Sequence, residues 1–571
     1  IANYDNPIFP IGQYSLKFLY DIFIIPIMHQ LKGKKMKRLL FAVFIFHFVF
    51  AQTSNDEFRA IWVITWEHIS SSDTQEQGKE RIRNILDDHV EANMNAVLFQ
   101  VRQSGTAYYN SSFEPWGYYA GYDYPGYDPL EYAVQEAHQR GLELHAWFNA
   151  FQASSTYEGT PAYEHPEWVC RDQDGIPMNE YRALSPGLEA VRNYTLDAAM
   201  EIVNNYDIDG IHLDYIRWNE YSNSGRTSPT VQQEESALDG MITEDQIEAL
   251  QNDRSGRYLY DVDHRYADGV PSGYSSWEEW WRWGVTEFVS MLHDSIQDVK
   301  PSVRLSTAVL GKYNWSGWQG YNIVYQDAAL WYNNGYVDQL TPMHYHWTSS
   351  TGFMGMLVND CPNCWSDYIQ EGITNERIYS VGPGSYILHD NGVWNHHASI
   401  INACRNVGWV KGFQFFSYGT WNFHDYWSVA GSTFFSKNTK IPETISDLSI
   451  SSSQPILWGS QQNSLTYQFT ISPSDSSHAY WFVIYRSPYD TINTNNDEII
   501  DIIFADSTFT ITDSFDGTQD YNGQYRYYVT QANRFWKESS PSNIFLSDSI
   551  PSYPPMLISS YPLDIDTVGV N

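Results

Sequence analysis

Eight short apolar runs, set apart by segments with helical spacing, constrain the fold of this chain more than any other feature. They lie at 59–65, 96–102, 143–149, 210–217, 304–311, 337–345, 378–386 and 410–418. Strands covered on both faces read as near-continuous apolar runs, which is the habit of parallel sheets. Between them, residues 79–93, 129–140, 187–205 and 277–299 place apolar side chains at helical intervals, with Gly141 as a C-cap and Pro301 as a stop. Alternation of this kind predicts the α/β class and a closed (β/α)8 TIM barrel over 56–435. The rival is an open doubly wound sheet, but no glycine fingerprint follows the first strand. The connection from Trp218 to Ser276 is long and polar, as functional lids and substrate walls often are.

The pattern changes near Pro442. Runs at 465–471, 479–486, 508–511 and 524–530 predict a small β-sandwich over 442–548, resembling a fibronectin type III domain and expected to act as a spacer or surface adaptor. A Pro-rich tail follows at 549–571. At the other end, Met36-Lys37-Arg38, an apolar run from Leu39 to Phe50 and small residues at Val49 and Ala51 form a signal peptide over 36–51. The run is too short for a comfortable membrane span, so no integral span is expected in the mature chain. The expected location is the periplasm, cell surface or medium. Residues 1–35 read as an over-extended reading frame, or else as a membrane-proximal extension through 18–28. Export permits disulfides. Cys361 and Cys364 are spaced for a local one, or for half of a metal site.

The net charge of -35 argues against nucleic acid and against anionic membrane surfaces as partners. The chain holds 22 Trp, 43 Tyr and 28 Phe, a density that can fill a large core, the reading for most of them, and can also line a sugar-binding cleft, because ring faces stack on sugar C–H faces. A polysaccharide is the partner this composition fits.

The polar residues that can do chemistry fall at strand ends, where a barrel gathers its active site. The fourth run, Asp209-Gly210-Ile211-His212-Leu213-Asp214-Tyr215-Ile216-Arg217, alternates apolar and polar groups and ends in a carboxylate. Asp214 is the candidate nucleophile or base of a two-carboxylate glycosidic cleavage, with Arg217 or His212 keeping it ionised. The bland alternative is a helix cap. Glu114, Asp327 and Glu67 are candidates for the proton-donating acid. Gln100, Arg102, Trp116, His145, Trp147, Asn149, His212, Tyr215, Arg217, His344 and Tyr345 are candidate sugar-binding residues. A metal hydrolase built on His145, His212 and Asp214 is a further alternative, and Asp253, Asp261 and Asp263 could hold calcium without matching the EF-hand spacing. No metal or cofactor is assigned.

These motifs resemble a known family. Phe58-Arg59-Ala60-Ile61-Trp62-Val63, Asn95 through Arg102, Glu114-Pro115-Trp116, Tyr127-Asp128-Pro129-Leu130, Ala137 through Asn149, Leu184-Ser185-Pro186-Gly187, Tyr206 through Arg217 and Asp338 through Tyr345 are similar to glycosyl hydrolase-like family 10, also called domain of unknown function 187. The resemblance spans roughly 56–430. It implies a glycosidase-like barrel in an exported bacterial protein, and cleavage of peptidoglycan glycan strands lacking stem peptides, an activity associated with a family member. It also implies likeness to α-glucan-active barrels whose fourth-strand Asp is the nucleophile, matched here by Asp214. The fifth strand, Ser306 through Gly311, lacks the acid Glu of those enzymes. A non-catalytic carbohydrate-binding barrel is the alternative function.

Overall fold

The computed structural model describes residues 55–178, 182–218, 259–446, 448–450, 453–516 and 523–550. The expected signal peptide, the segment before it, most of the Trp218–Ser276 connection and nearly all of the tail lie outside the described residues.

Eight parallel strands close a barrel: β1 (Phe58–Val63), β2 (Ala96–Gln103), β4 (Glu143–Asn149), β5 (Gly210–Asp214), β6 (Arg304–Leu310), β7 (Gln339–His344), β8 (Ile378–Pro383) and β9 (Val410–Phe415). The two-residue β3 (Thr106–Ala107) pairs antiparallel with the end of β2. Closure comes from β1, which pairs with β9 (Phe58↔Gly412) and with β2 (Trp62↔Leu98). Every expected strand is present, most one to three residues shorter at the C-terminal end, where the chain turns into the active-site loops.

The helices start where local chemistry satisfies their first N–H groups. Thr74 and Gln77 form a capping box ahead of Gln75–Glu91. The Asp128 carboxylate accepts from the Leu130 and Glu131 amides, and Pro129 opens helix Pro129–Gln139. Gly141 ends that helix in the left-handed region (φ 72°). A side chain there would also strike the Ile502 carbonyl oxygen, so only glycine fits.

Seven further strands form two antiparallel sheets, in the orders β10 (Ile456–Asn463), β11 (Thr466–Ser472), β14 (Phe509–Ser514) and β13 (Glu498–Ala505), β12 (Tyr480–Ser487), β15 (Arg526–Ala532), β16 (Phe545–Leu546). They stack as a β-sandwich around Phe469, Phe482, Ile484, Tyr527 and Val529. The sandwich, expected as a spacer or surface adaptor, packs directly on the barrel. It plugs the N-terminal end of the barrel, and one apolar cluster runs from Phe58, Leu98 and Trp147 into Trp481, Tyr485 and Trp536. Trp536 donates from Nε1 to Glu143 Oε1 (2.6 Å) and stacks on Trp481 (5.3 Å between centroids, 16°). Arg534 forks onto Asp207 at 2.7 Å and reaches the buried Asp209. Burial pushes the Asp209 carboxyl up, but His138 and Arg534 outweigh it and hold the group well below the usual range.

Candidate active site

Side chains of a barrel strand alternate between the interior and the helical layer. On β5, His212 and Asp214 face inward and Ile211 and Leu213 outward, into the main core. His212 occupies the middle of the barrel. Its Nε2 accepts from Trp62 Nε1 (3.0 Å), and its Nδ1 donates to Ser306 Oγ (2.9 Å). Burial, reinforced by His145, drives its pKa well below the ordinary value, so the ring is neutral.

Asp214 sits one layer higher, at the mouth. Its Oδ1 accepts from the Tyr215 amide (2.6 Å), and Tyr215 then turns into the left-handed region (φ 48°), a conformation that costs a bulky residue about 1–3 kcal/mol. Arg217 lays its guanidinium 4.4 Å from the Tyr215 ring centroid. Burial pushes the Tyr345 phenol far up, Tyr386, Asp214 and Tyr215 push it further, and Arg217 opposes them. These five groups therefore form one electrostatic neighbourhood. Phe416, after β9, packs against Trp62, Trp147, Tyr345 and Tyr386 and forms its apolar floor. Phe416 and Tyr386 carried no polar signal in the sequence and were not anticipated.

Gln100 and Asn149 share this upper layer. Gln100 Nε2 donates to Asn149 Oδ1 (3.3 Å), Asn149 Nδ2 donates to Gln152 (2.7 Å), and Gln100 Oε1 accepts from the Thr65 amide (3.1 Å). Trp147 lies below them, with an indole N–H that meets no protein acceptor. Trp116 lies on the loop after β2, beside Tyr124.

Several expected site residues sit elsewhere. A bulge between Gln100 and Arg102 shifts the register, so that Gln100 pairs with inward Trp147 but Arg102 with outward Phe148. Arg102 is therefore turned away from the cleft. It stacks on Phe148 (4.7 Å) and grips Glu114 with Nε (2.8 Å) and Nη2 (2.5 Å). Both side chains are fully buried, and Glu114 also accepts from Tyr194 (3.2 Å). A carboxylate held in this way anchors the loop and does not reach a glycosidic oxygen. Asp327 caps helix Ala328–Asn334 and accepts from the Tyr313 hydroxyl (2.6 Å). Burial raises its pKa, and the cap and the Tyr313 bond both fall on Oδ1.

His145 faces inward at the opposite, N-terminal end, bonded to Glu143 (2.9 Å) beneath Arg304. His344 points outward, with Nε2 on the Tyr379 hydroxyl (3.0 Å) and Nδ1 accepting from the Gly382 amide (3.0 Å). Strand position alone could not separate these two from mouth residues. The metal arrangement fails on donor availability, because both His212 nitrogens are engaged and His145 lies two layers below Asp214. Among the described residues only Cys361, Cys364 and Asp367 approach as a metal-ligand group, and the two cysteines are joined as a disulfide. Asp253 lies outside the described residues. Asp261 binds Ser185, His264 and its own loop amides.

Glu67 stands out among the carboxylates. It follows β1, and its oxygens accept from the amides of Ile64 (2.7 Å) and Gly419 (2.6 Å) and from the Ser417 hydroxyl (3.3 Å). Burial nevertheless dominates and pushes its pKa up to about 7.

Among the described residues, no helix is long and apolar enough to cross a membrane. The family model for Glycosyl hydrolase-like 10 matches residues 57–380. Glycosyl hydrolase YngK of Bacillus subtilis (strain 168) is 25% identical over 528 residues, covering 86% of this chain and 93% of the relative. Glycosyl hydrolase DigH of Escherichia coli (strain K12) is 25% identical over 382 residues, covering 59% and 77%. Of solved structures, the PgaB (BpsB) glycoside hydrolase domain from Bordetella bronchiseptica aligns with a TM-score of 0.38 at 12% identity, over 66% of this chain and 97% of that one. A family match that begins at β1 and runs through Asp214 to β8, on a closed parallel barrel, makes the chain a glycoside hydrolase of the Glycosyl hydrolase-like 10 family.

Proposed function

We propose that this enzyme is exported and cleaves the glycosidic bonds of a polysaccharide, peptidoglycan glycan strands first among them, by a two-carboxylate mechanism. The observation that carries the mechanism is the grouping of Asp214 with Tyr215, Arg217, Tyr345 and Tyr386 at the barrel mouth. In this reading Asp214 is the nucleophile, or the base that activates water, and Arg217 favours its ionised form. Glu67 takes the role of acid in place of Glu114 and Asp327. A carboxyl with a pKa near 7 holds a proton at neutral pH and can pass it to the leaving oxygen. Gln100, Asn149, Trp147 and Tyr345 line the sugar.

Peptidoglycan strands are supported by the motif resemblance and by Arg217 beside Asp214, since an N-acetylmuramic sugar without its peptide carries a carboxylate that Arg217 can meet. Export is supported by the leader-like sequence at 36–51 and by the Cys361–Cys364 disulfide, which suits an oxidising compartment. The three-plus-four strand arrangement of the sandwich supports a fibronectin type III-like domain.

The test compares the protein with Asp214→Asn on peptide-free peptidoglycan strands and on a panel of α- and β-glucans, reading products by mass spectrometry. New reducing ends from the parent alone on the peptidoglycan strands are expected. Cleavage by Asp214→Asn at the parental rate would remove Asp214 from the mechanism, and cleavage of a glucan alone would replace the substrate.

A further inference from the structure

Loops leaving three adjacent barrel strands bring a set of rings together beside the mouth. Trp66 follows β1, Tyr118, Tyr119 and Tyr122 lie on the loop after β2, and Tyr157 follows β4. The rings touch in sequence: Trp66 on Tyr119 (5.6 Å), Tyr119 on Tyr118 (5.3 Å), Tyr118 on Tyr122 (6.1 Å), and Tyr122 flat on Tyr157 (3.9 Å, 5° between planes). Tyr119 rests on the small cluster of Ile69, Tyr108 and Ala120, while the outer rings face solvent. Trp66 is 48%, Tyr118 67% and Tyr157 41% exposed. Contiguous ring surface left in water is unfavourable and marks a surface that something else covers.

The backbone is bent to make this surface. Gly121 (φ 74°) and Tyr122 (φ 59°) are both left-handed, and a tyrosine holds that conformation only against a steric cost. The turn lays Tyr122 on Tyr157 and so links the loop after β2 to the loop after β4. The stretch from Ser104 to Tyr127 contains no Lys or Arg, and of its two carboxylates Glu114 is buried on Arg102 and Asp123 is exposed, so ring faces and phenol hydroxyls are the main contacts this surface offers. Strands lie about 4.8 Å apart, so loops from three of them span about 10 Å, wider than one sugar ring.

We infer that this wall is an extended binding surface for a linear glycan, holding sugars beyond those that flank the cleaved bond by stacking their C–H faces on Trp66, Tyr118, Tyr119 and the Tyr122–Tyr157 pair. The enzyme then favours chains over their repeating disaccharide. The inference deepens the glycan-cleaving function proposed above and rests on it.

The test measures binding by calorimetry on the full chain carrying Asp214→Asn, with peptide-free peptidoglycan strands and with their disaccharide unit as probes. Tyr118→Ala and Tyr157→Ala should each weaken strand binding about fivefold, the loss of one ring contact, and lower the ratio of strand to disaccharide affinity. Tyr118→Phe keeps the ring and should keep the ratio. Strand affinity unchanged in both alanine variants would overturn the wall, as would a parent that binds strands no better than the disaccharide. If the cleavage test selects a glucan, the same comparison is made with that glucan and its disaccharide, so the substrate can fail while the wall stands, or the reverse.

Discussion

Glu114 and Arg102 offer the sharpest test of how the site is built, because the same carboxylate has two incompatible roles available. Catalysis requires it to meet a substrate oxygen. The structure instead encloses it with Arg102, both side chains without solvent contact, joined by Nε at 2.8 Å and Nη2 at 2.5 Å. Glu114→Gln keeps the shape and removes the charge, leaving the Arg102 guanidinium buried without its counter-ion. Removing one partner of a fully buried pair costs about 3–5 kcal/mol. Arg102 also donates to the carbonyls of Asn149 and Ala150, so the strain passes directly into the end of β4. The expected outcome in a thermal melt is a midpoint lowered by several degrees. At a temperature where the variant is fully folded, specific activity on the cleaved glycan should stay within about tenfold of the parent, since the lost group orients a loop and transfers no proton. The double variant Arg102→Met/Glu114→Leu should recover much of the midpoint, because replacing both charges by apolar groups removes the desolvation cost. A Glu114→Gln protein that melts like the parent yet has lost activity by a factor of a thousand or more would refute this reasoning and return Glu114 to the acid role.

Four other outcomes can be measured. If Glu67 is the acid, kcat/KM falls as pH rises through about 7, where its carboxyl loses the proton, and Glu67→Gln abolishes that alkaline limb in a pH–rate profile. The same raised pKa makes the folded state hold a proton that the unfolded chain releases, so this group's contribution to stability is full below about 4.5 and is lost as pH rises towards 7. Chemical denaturation of the parent and Glu67→Gln across that window should show the difference. Trp536→Ala removes the stack on Trp481 and the donor to Glu143, and should cost about 3–5 kcal/mol in denaturant melts that report on the barrel as well as the sandwich. Activity should survive a strong chelator, because both His212 nitrogens are engaged inside the protein, and loss of activity that added zinc restores would revive a metal mechanism.

The barrel was legible in the sequence because doubly covered parallel strands are the most repetitive signal a chain can carry, and eight of them leave few alternatives. The position of Asp214 was legible for the same reason, as it closes the run Gly210–Asp214 with strict alternation. Alternation stopped being a guide where the backbone departs from it. The bulge at Gln100–Arg102 reverses the face of Arg102, and no residue type in Gln100-Val101-Arg102-Gln103 announces it. His145 and His344 show a second gap. Each sits on a true strand, but height along the barrel axis and the side chosen at the strand's end depend on how neighbouring strands are staggered. That stagger is a property of closure and not of any one segment.

The strands of the sandwich were legible in the sequence, but its seat against the barrel was not. Its docking residues, Trp481, Arg534 and Trp536, are ordinary members of a β domain until Asp207, Asp209 and Glu143 are seen opposite them. Glu143 then pairs with Arg304 and His145, and the side chains above them are His212 and Asp214, stacked along β5. The bottom of a barrel usually serves stability and the top chemistry. Here the sandwich covers the lower end, where Glu143 meets Arg304 and Asp209 meets Arg534 and His138, and burial keeps His212 neutral beneath Asp214. A substitution at the plug is therefore expected to cost stability and to leave the titration of the mouth unchanged. Arg534→Met leaves Asp209 buried without its guanidinium, facing His138, the Leu144 amide and the nearby Lys300. That variant should lose stability and, at temperatures where it stays folded, keep its pH–rate profile. A shifted acidic limb in Arg534→Met would show that charge at the bottom of the barrel also tunes Asp214 directly.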